Sequence, residues 1–266
     1  MLNRLSANII AYLCYHIDSI CRSNLHSGVI TSERDYVSNL GTHLRSPLGP
    51  FFSIRLATAQ TLPQNLETTF GCDSIIVLRK NNIAKIGLFE AKWPRYFTNH
   101  SHRWDSLKTS GESRFSSQII RQRNWVGSGV VIWEMFFNES TPGRVNWPFD
   151  TFGSSCLLHQ DAIAYLNANK ATIGTLWNNT DLVALLPQAM NLRRIIYNIL
   201  RCNFGSIFLI ERNSISIPIN KTAEIRVPIL NNVTNVTEAG LNDEIDTFLQ
   251  ETGLTNYISI NIEIDE

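Results

Sequence analysis

The stretch IAKIGLFEAKWPR, residues 83–95, ends an apolar run with an acid and a base two positions apart. In a β-strand, residues two apart point to one face, so Glu90 and Lys92 share a side. CDSIIVLRK and IAKIGLFEAKW read as two strands joined at Asn81-Asn82, a two-residue hairpin turn. With that turn, facing positions sum to 163, which sets Asp73 directly opposite Glu90. Opposed residues project to the same face, with Cβ atoms about 4.5–5.5 Å apart. Two facing carboxylates repel each other, and a hard divalent cation such as Mg²⁺ relieves the repulsion. The plainer alternative is a same-strand ion pair between Glu90 and Lys92, contributing at most about 1 kcal/mol if exposed.

The hairpin carries Ile75, Val77, Ile86 and Leu88 on the face of the two acids and Ile76, Leu78 and Phe89 on the other. That pattern predicts burial on both sides. Residues 3–22 read as a helix, and TSERDYVSNLGTHLR as a second, with Ser32 as N-cap and Asp35 as its capping-box partner. FFSIRLATAQTL reads as a strand. A polar loop covers 96–113, then ESRFSSQIIRQRNW has the pattern of a helix and GVVIWEMFF that of a buried strand. Residues 138–153, with two prolines and two glycines, are the best candidate boundary. Beyond it come helices around 155–168 and 187–203, strands GSIFLIER and SISIPINKTAEIRVPIL, a helix near 240–251 and a last strand, NYISINIEI. The expected class is α/β (α+β), a central mixed sheet flanked by helices. Residues 1–140 form the core with its N-terminal helix. Residues 141–266 form an α/β accessory region for target recognition or dimerisation, separate or packed onto the same sheet.

The pattern Asp73 … Glu90-Ala91-Lys92, led in by the apolar IGLF, resembles the PD-(D/E)xK nuclease superfamily and its restriction-endonuclease-like fold over about residues 30–137. Cys72 stands where a proline is usually written. The resemblance implies metal-assisted hydrolysis of DNA phosphodiester bonds. Mg²⁺, with Mn²⁺ able to substitute, would be held by Asp73, Glu90 and the Ala91 carbonyl, while Lys92 orients or deprotonates the attacking water. In this superfamily a preceding helix often adds an acid. Glu33, on a stripe with Val37, Leu40 and Leu44, fits that role; the alternative is a first-turn acid favoured by the helix dipole. On the following helix Gln118 and Gln122 could orient water or phosphate, or belong to an exposed face. Arg95, Arg121, Arg123 and Gln122 are the candidate nucleic-acid contacts, with Lys80 and Lys85 as further cations. A restriction-type endonuclease is the leading reading. Alternatives are a structure-selective or toxin-type nuclease, a non-catalytic nucleic-acid-binding or assembly protein on the same fold, and an α/β module that binds a basic partner through its acidic end.

Composition is that of an ordinary soluble globular protein: 44% of 266 residues are apolar and 17% charged, with net charge zero. The distribution is uneven. Residues 79–123 hold ten Lys/Arg against three Asp/Glu, whereas residues 231–266 hold eight Asp/Glu and no Lys/Arg. A basic middle suits a phosphate-bearing partner. No apolar run reaches the roughly 18 residues of a membrane span, and NIIAYLCYHIDSI reads as a packed helix, not a signal peptide. Five scattered cysteines without a CxxC pair suggest reduced thiols and a cytoplasmic location. His100 and His102 lack a third zinc ligand, and Trp93 and Trp104 could stack on bases or fill a core. The proposed chemistry favours a homodimer, because cutting both DNA strands needs two active sites.

Overall fold

The computed structural model describes residues 1–45, 53–61, 71–94, 104–137, 152–170, 172–218, 224–229, 243–254 and 256–263. The first half runs α1 (Arg4–His26), α2 (Glu33–Arg45), β1 (Ser53–Thr61), β2 (Ser74–Lys80), β3 (Ile83–Lys92), α3 (Arg114–Gln122) and β4 (Val131–Phe136). The second continues with β5 (Ser155–Leu158), α4 (His159–Asn169), α5 (Asn179–Leu185), β6 (Met190–Asn191) and α6 (Leu192–Leu200). Then follow β7 (Phe208–Leu209), β8 (Ser214–Pro218), β9 (Glu224–Pro228), α7 (Asp243–Thr252) and β10 (Asn256–Glu263).

One mixed sheet runs in the order β1-β10-β2-β3-β4-β5-β6, with β7 added on β3, while β8 and β9 form a separate hairpin. β10 lies antiparallel to β1 and parallel to β2. β3 is antiparallel to β2 and parallel to β4. Strands from beyond residue 141 thus complete the sheet that holds the hairpin. The acidic end is partly built into the same body, since β10 sits inside the sheet and Ile245, Phe248 and Leu249 of α7 are buried.

The two faces of the β2–β3 hairpin are buried as their alternation requires. Ile76, Leu78 and Phe89 join one cluster with α1, α2 and α6. Ile75, Val77, Ile86 and Leu88 join another with Trp125, β8, β9 and α7. A third cluster, around Phe115, Phe136 and Trp177, covers the far end of that second face with α3, α4 and α5. α6 illustrates the cause: Leu192, Ile195, Ile196, Ile199 and Leu200 recur at helical spacing and are all buried. At about 1.5–3 kcal/mol per buried aliphatic side chain, that stripe outweighs the poor intrinsic stability of so short a helix.

Several elements differ from the sequence expectation: α5 is not among the expected helices, the strand expected in GSIFLIER is confined to Phe208–Leu209, and two expected helices are shortened. Residues 155–158 are a strand, not the start of a helix, because they pair antiparallel with Phe136–Trp133 and α4 begins only at His159. The helix expected over 187–203 is confined to 192–200: Pro187 lies in a 3₁₀ turn, and the Asn191 side chain caps α6 by accepting from the Arg194 amide at 3.0 Å.

Gly87, in the middle of β3, is set by packing. A Cβ there would lie 2.5 Å from Trp133 and 2.9 Å from the Ile76 side chain, both in the core. Gly87→Ala is therefore expected to destabilise the protein by about 1–3 kcal/mol, read as a lowered denaturant midpoint with unchanged m-value. Among the described residues no helix is long and apolar enough to cross a membrane.

Candidate active site

The hairpin closes at Asn81, which adopts φ 54°, and its ladder keeps one register from Lys80↔Ile83 to Ser74↔Phe89. The ladder ends at that pair, and Asp73, one residue before it, leaves the simple register: its amide goes to Phe89 and its carboxylate to Ala91, which sets it beside Glu90. Main-chain bonds fix Asp73 from both sides: its amide donates to the Phe89 carbonyl at 3.1 Å, and its carbonyl accepts from the Asn256 amide at 3.0 Å. The Asp73 carboxylate is half-buried and takes the Ala91 amide on Oδ2 at 3.0 Å. Glu90 is fully buried, and the Lys92 ammonium donates to its Oε1. Lys92 is 12% exposed, with its ammonium 5.9 Å from the centre of the Phe115 ring.

α3 is aimed at this pair by a rigid start. Ser113 caps the helix by accepting from the Ser116 amide at 2.9 Å, and its hydroxyl donates to Asp105 at 2.6 Å. Asp105 also accepts from the amides of Phe115 and Trp177, both at 3.1 Å. One turn along, Gln118 is buried and donates its amide to Glu90 Oε1. Glu90 Oε1 thus receives both Lys92 and Gln118, while Oε2 is buried with no hydrogen-bond partner among the described residues. Glu33, at the start of α2, accepts the Trp93 amide at 2.8 Å. It therefore stands at the residue after Lys92.

Electrostatics follow from this crowding. Burial and the Asp73 charge push the Glu90 carboxyl well above its ordinary value, Glu134 adds to this, and Lys92 only partly offsets it. Burial would make Lys92 easier to deprotonate, but the charges of Glu90, Glu33 and Asp73 outweigh it and raise its pKa. Lys92 is an ammonium at any physiological pH.

Sequence reasoning missed a second acid arm. Glu134 of β4 pairs in parallel register with Glu90 and is fully buried. The Gln122 amide nitrogen donates to Glu134 Oε2 at 3.2 Å and to the Gly71 carbonyl at 2.7 Å. With its nitrogen so engaged, Gln122 presents its oxygen to His159 Nδ1 at 2.7 Å, so Nδ1 carries the proton. His159 Nε2 and Glu134 Oε1 are both buried with no hydrogen-bond partner among the described residues, and Nδ1 lies 3.9 Å from that Glu134 oxygen. The charges of Glu134, Glu90 and Asp73 all reach Cys72, whose thiol is pushed up first by burial and then by them. The one available signal for Glu134 was an acid inside the otherwise apolar GVVIWEMFF.

The remaining candidates scatter. Gln122 is fully buried, so its amide serves the interior and not a bound strand. Lys85 is also buried, its ammonium donating to the carbonyls of Phe204 and Gly205, which removes it from phosphate contact. Arg123 is exposed and donates to Asn167 at 3.1 Å. Arg121 lies beside the segment leading into Asp73. Trp104 packs edge-on against Phe115 and Phe136, a core role. Arg95, His100 and His102 fall outside the described residues.

Among the described residues no group of three or more His, Cys, Asp or Glu side chains is arranged to hold a metal ion. The smaller set of Asp73, Glu90 and the Ala91 carbonyl nevertheless fits a hard cation. Its ligands are oxygens, Glu90 Oε2 lacks a partner, and the two acids raise each other's cost of ionisation in a way that positive charge cancels. No family model matches the chain, and no curated protein or solved structure shows significant similarity to it.

Proposed function

We propose that the protein is a Mg²⁺-dependent nuclease that hydrolyses DNA phosphodiester bonds, a restriction-type endonuclease on a restriction-endonuclease-like core. The observation that carries this reading is the neighbouring acids Asp73 and Glu90, linked through the Ala91 amide and close enough for one charge to raise the other's pKa, with Lys92 donating to Glu90. Asp73, Glu90 and the Ala91 carbonyl would hold the cation, which supplies Lewis-acid polarisation of the phosphate and acidifies water.

The chain's own groups have distinct parts. Lys92, kept protonated by three surrounding acids, balances negative charge developing on the phosphoryl oxygens; it is a charge stabiliser in preference to a base. Gln118 fixes the rotamer of Glu90, and the Ala91 amide fixes that of Asp73. Glu33 holds the strand end through the Trp93 amide and adds to the field on Lys92.

The test is supercoiled plasmid incubated with the purified protein and Mg²⁺, beside EDTA and an Asp73→Ala variant. Nicked or linear product is expected with Mg²⁺ alone and none in the other two. If the wild type leaves DNA, RNA and branched DNA intact with both Mg²⁺ and Mn²⁺, the nuclease assignment fails. Salt-sensitive DNA binding without cleavage would then point to a non-catalytic binder.

A further inference from the structure

We propose that Lys108, Ser117 and Arg121 form a subsite that binds a second phosphate of the substrate strand, alongside the one being cleaved. Two cationic side chains converge there on one hydroxyl. Ser117 is almost buried on α3, and its hydroxyl oxygen accepts from Arg121 Nη1 at 2.9 Å and from the Lys108 ammonium. With its oxygen used twice as acceptor, the hydroxyl has its own proton left to donate. Arg121 Nε–H is buried and has no acceptor among the described residues. Buried donors are normally satisfied, so an unmatched group of this kind marks the place of a missing acceptor.

The charges say which acceptor. Two cations meet at one hydroxyl, with Arg114 adding to their mutual repulsion; burial and then these neighbours make the Lys108 ammonium easier to deprotonate. The acid that opposes them is Glu112, 3.8 Å from Lys108 and at the half-exposed side of the turn. A single carboxylate leaves the cluster net positive, and an oxyanion with several acceptor oxygens matches it.

Backbone geometry puts the cluster next to the acids. The turn over 107–113 closes with Leu107↔Ser113 pairing and with Lys108 donating its amide to the Glu112 carbonyl at 2.7 Å, which fixes Lys108 over α3. Gly71, at φ +71°, passes so close to α3 that a Cβ there would lie 2.2 Å from the Gln118 carbonyl oxygen and 3.2 Å from Arg121 Cβ. The segment leading into Asp73 therefore rests on the turn of helix that carries Arg121. Gln118, three residues before Arg121, holds Glu90. The anion chemistry stands on these residues; that the anion is a strand phosphate rests on the nuclease reading.

The experiment is fluorescence anisotropy of a labelled DNA oligonucleotide with the full chain in EDTA, where hydrolysis is absent, at several salt concentrations. Lys108→Gln and Arg121→Gln are each expected to weaken binding by about five- to tenfold at low salt. Each should also cut the slope of log affinity against log salt by about 1, and the double variant by about 2. Arg121→Lys should restore most of the slope, since a charge and not a packing volume is what the strand needs. Unfolding midpoints establish that the variants are folded; Lys108, on a half-exposed turn, is the safeguard if Arg121→Gln is not. An unchanged slope in folded variants overturns the subsite, as does absence of DNA binding by the wild type. Stabilisation of the wild type by millimolar inorganic phosphate, with the DNA slope unchanged in the variants, would assign the cluster to free phosphate and overturn the strand assignment. Cleavage and slope are independent readouts, so failure of either leaves the other legible.

Discussion

Lys92→Ala is expected to lower the single-turnover rate of Mg²⁺-dependent DNA cleavage by about 10²–10⁴-fold. Two effects combine. The substitution removes the ammonium that faces the developing charge, and it leaves Glu90 buried beside Asp73 and Glu134 with only Gln118 as partner. Glu90 then takes up a proton more readily and loses the charge with which it would bind a cation. Raising Mg²⁺ should recover part of the second loss and none of the first. Lys92→Arg is expected to rescue poorly, because a planar guanidinium does not fit a site built around a compact ammonium over the Phe115 ring. An unfolding midpoint taken alongside separates lost chemistry from lost fold. Activity of Lys92→Ala within tenfold of wild type would remove Lys92 from the chemistry.

In EDTA, the folded protein should lose stability as pH rises above the ordinary carboxylate range, and Glu90→Gln should abolish that loss. The Glu90 pKa is raised on folding, so between the ordinary carboxylate range and the raised value the native state keeps a proton that the unfolded chain has released. The unfolded state binds fewer protons in that window, and stability falls with pH by up to about 1.4 kcal/mol per pH unit. Lys92 does not enter the window, because its raised pKa matters only above its ordinary alkaline value. Above the ordinary carboxylate range Glu90→Gln should therefore show a higher unfolding midpoint than wild type while failing to cleave DNA. Mg²⁺ should flatten the wild-type profile and leave the variant unmoved. A flat wild-type profile in EDTA would show that Glu90 ionises without cost and that the acids do not crowd one another.

The part of the site that local rules govern could be read from the chain. A two-residue turn fixes a register, and so the pairing from Lys80 with Ile83 to Ser74 with Phe89 could be read before any coordinates; the departure of Asp73 from that ladder could not. Ser32 as the cap of α2 is local in the same sense, its hydroxyl accepting the Asp35 amide at 3.0 Å. Glu134 and His159 were invisible for the opposite reason. The partnership of Glu134 with Glu90 depends on parallel pairing of β3 with β4, and that of His159 on where α4 starts, neither of which any turn or spacing encodes. For Gln122 the sequence leaves two readings open, an inward glutamine serving water or phosphate and an exposed helix face; a buried polar residue with its partners supplied from other elements leaves no mark in hydrophobic periodicity. The strand at 155–158 was taken into a helix because four apolar or small residues carry no period of their own.

The insertion of β10 between β1 and β2 has a consequence for how the molecule comes into being. Residue 256 must reach residue 73 before the carbonyl of Asp73 has its partner, so one wall of the catalytic hairpin waits on chain made long after it. Until then β2 presents an open edge of unpaired amides and carbonyls, ready to pair with any passing strand. Such distant pairing is slow to form, because a long loop must close before any contact rewards it. The hairpin can therefore zip early around its own turn, while the acid that defines it is locked only at the end of folding. Completion of this acid cluster is a late event in the life of this chain, and the interval before it is when the protein is most exposed to aggregation.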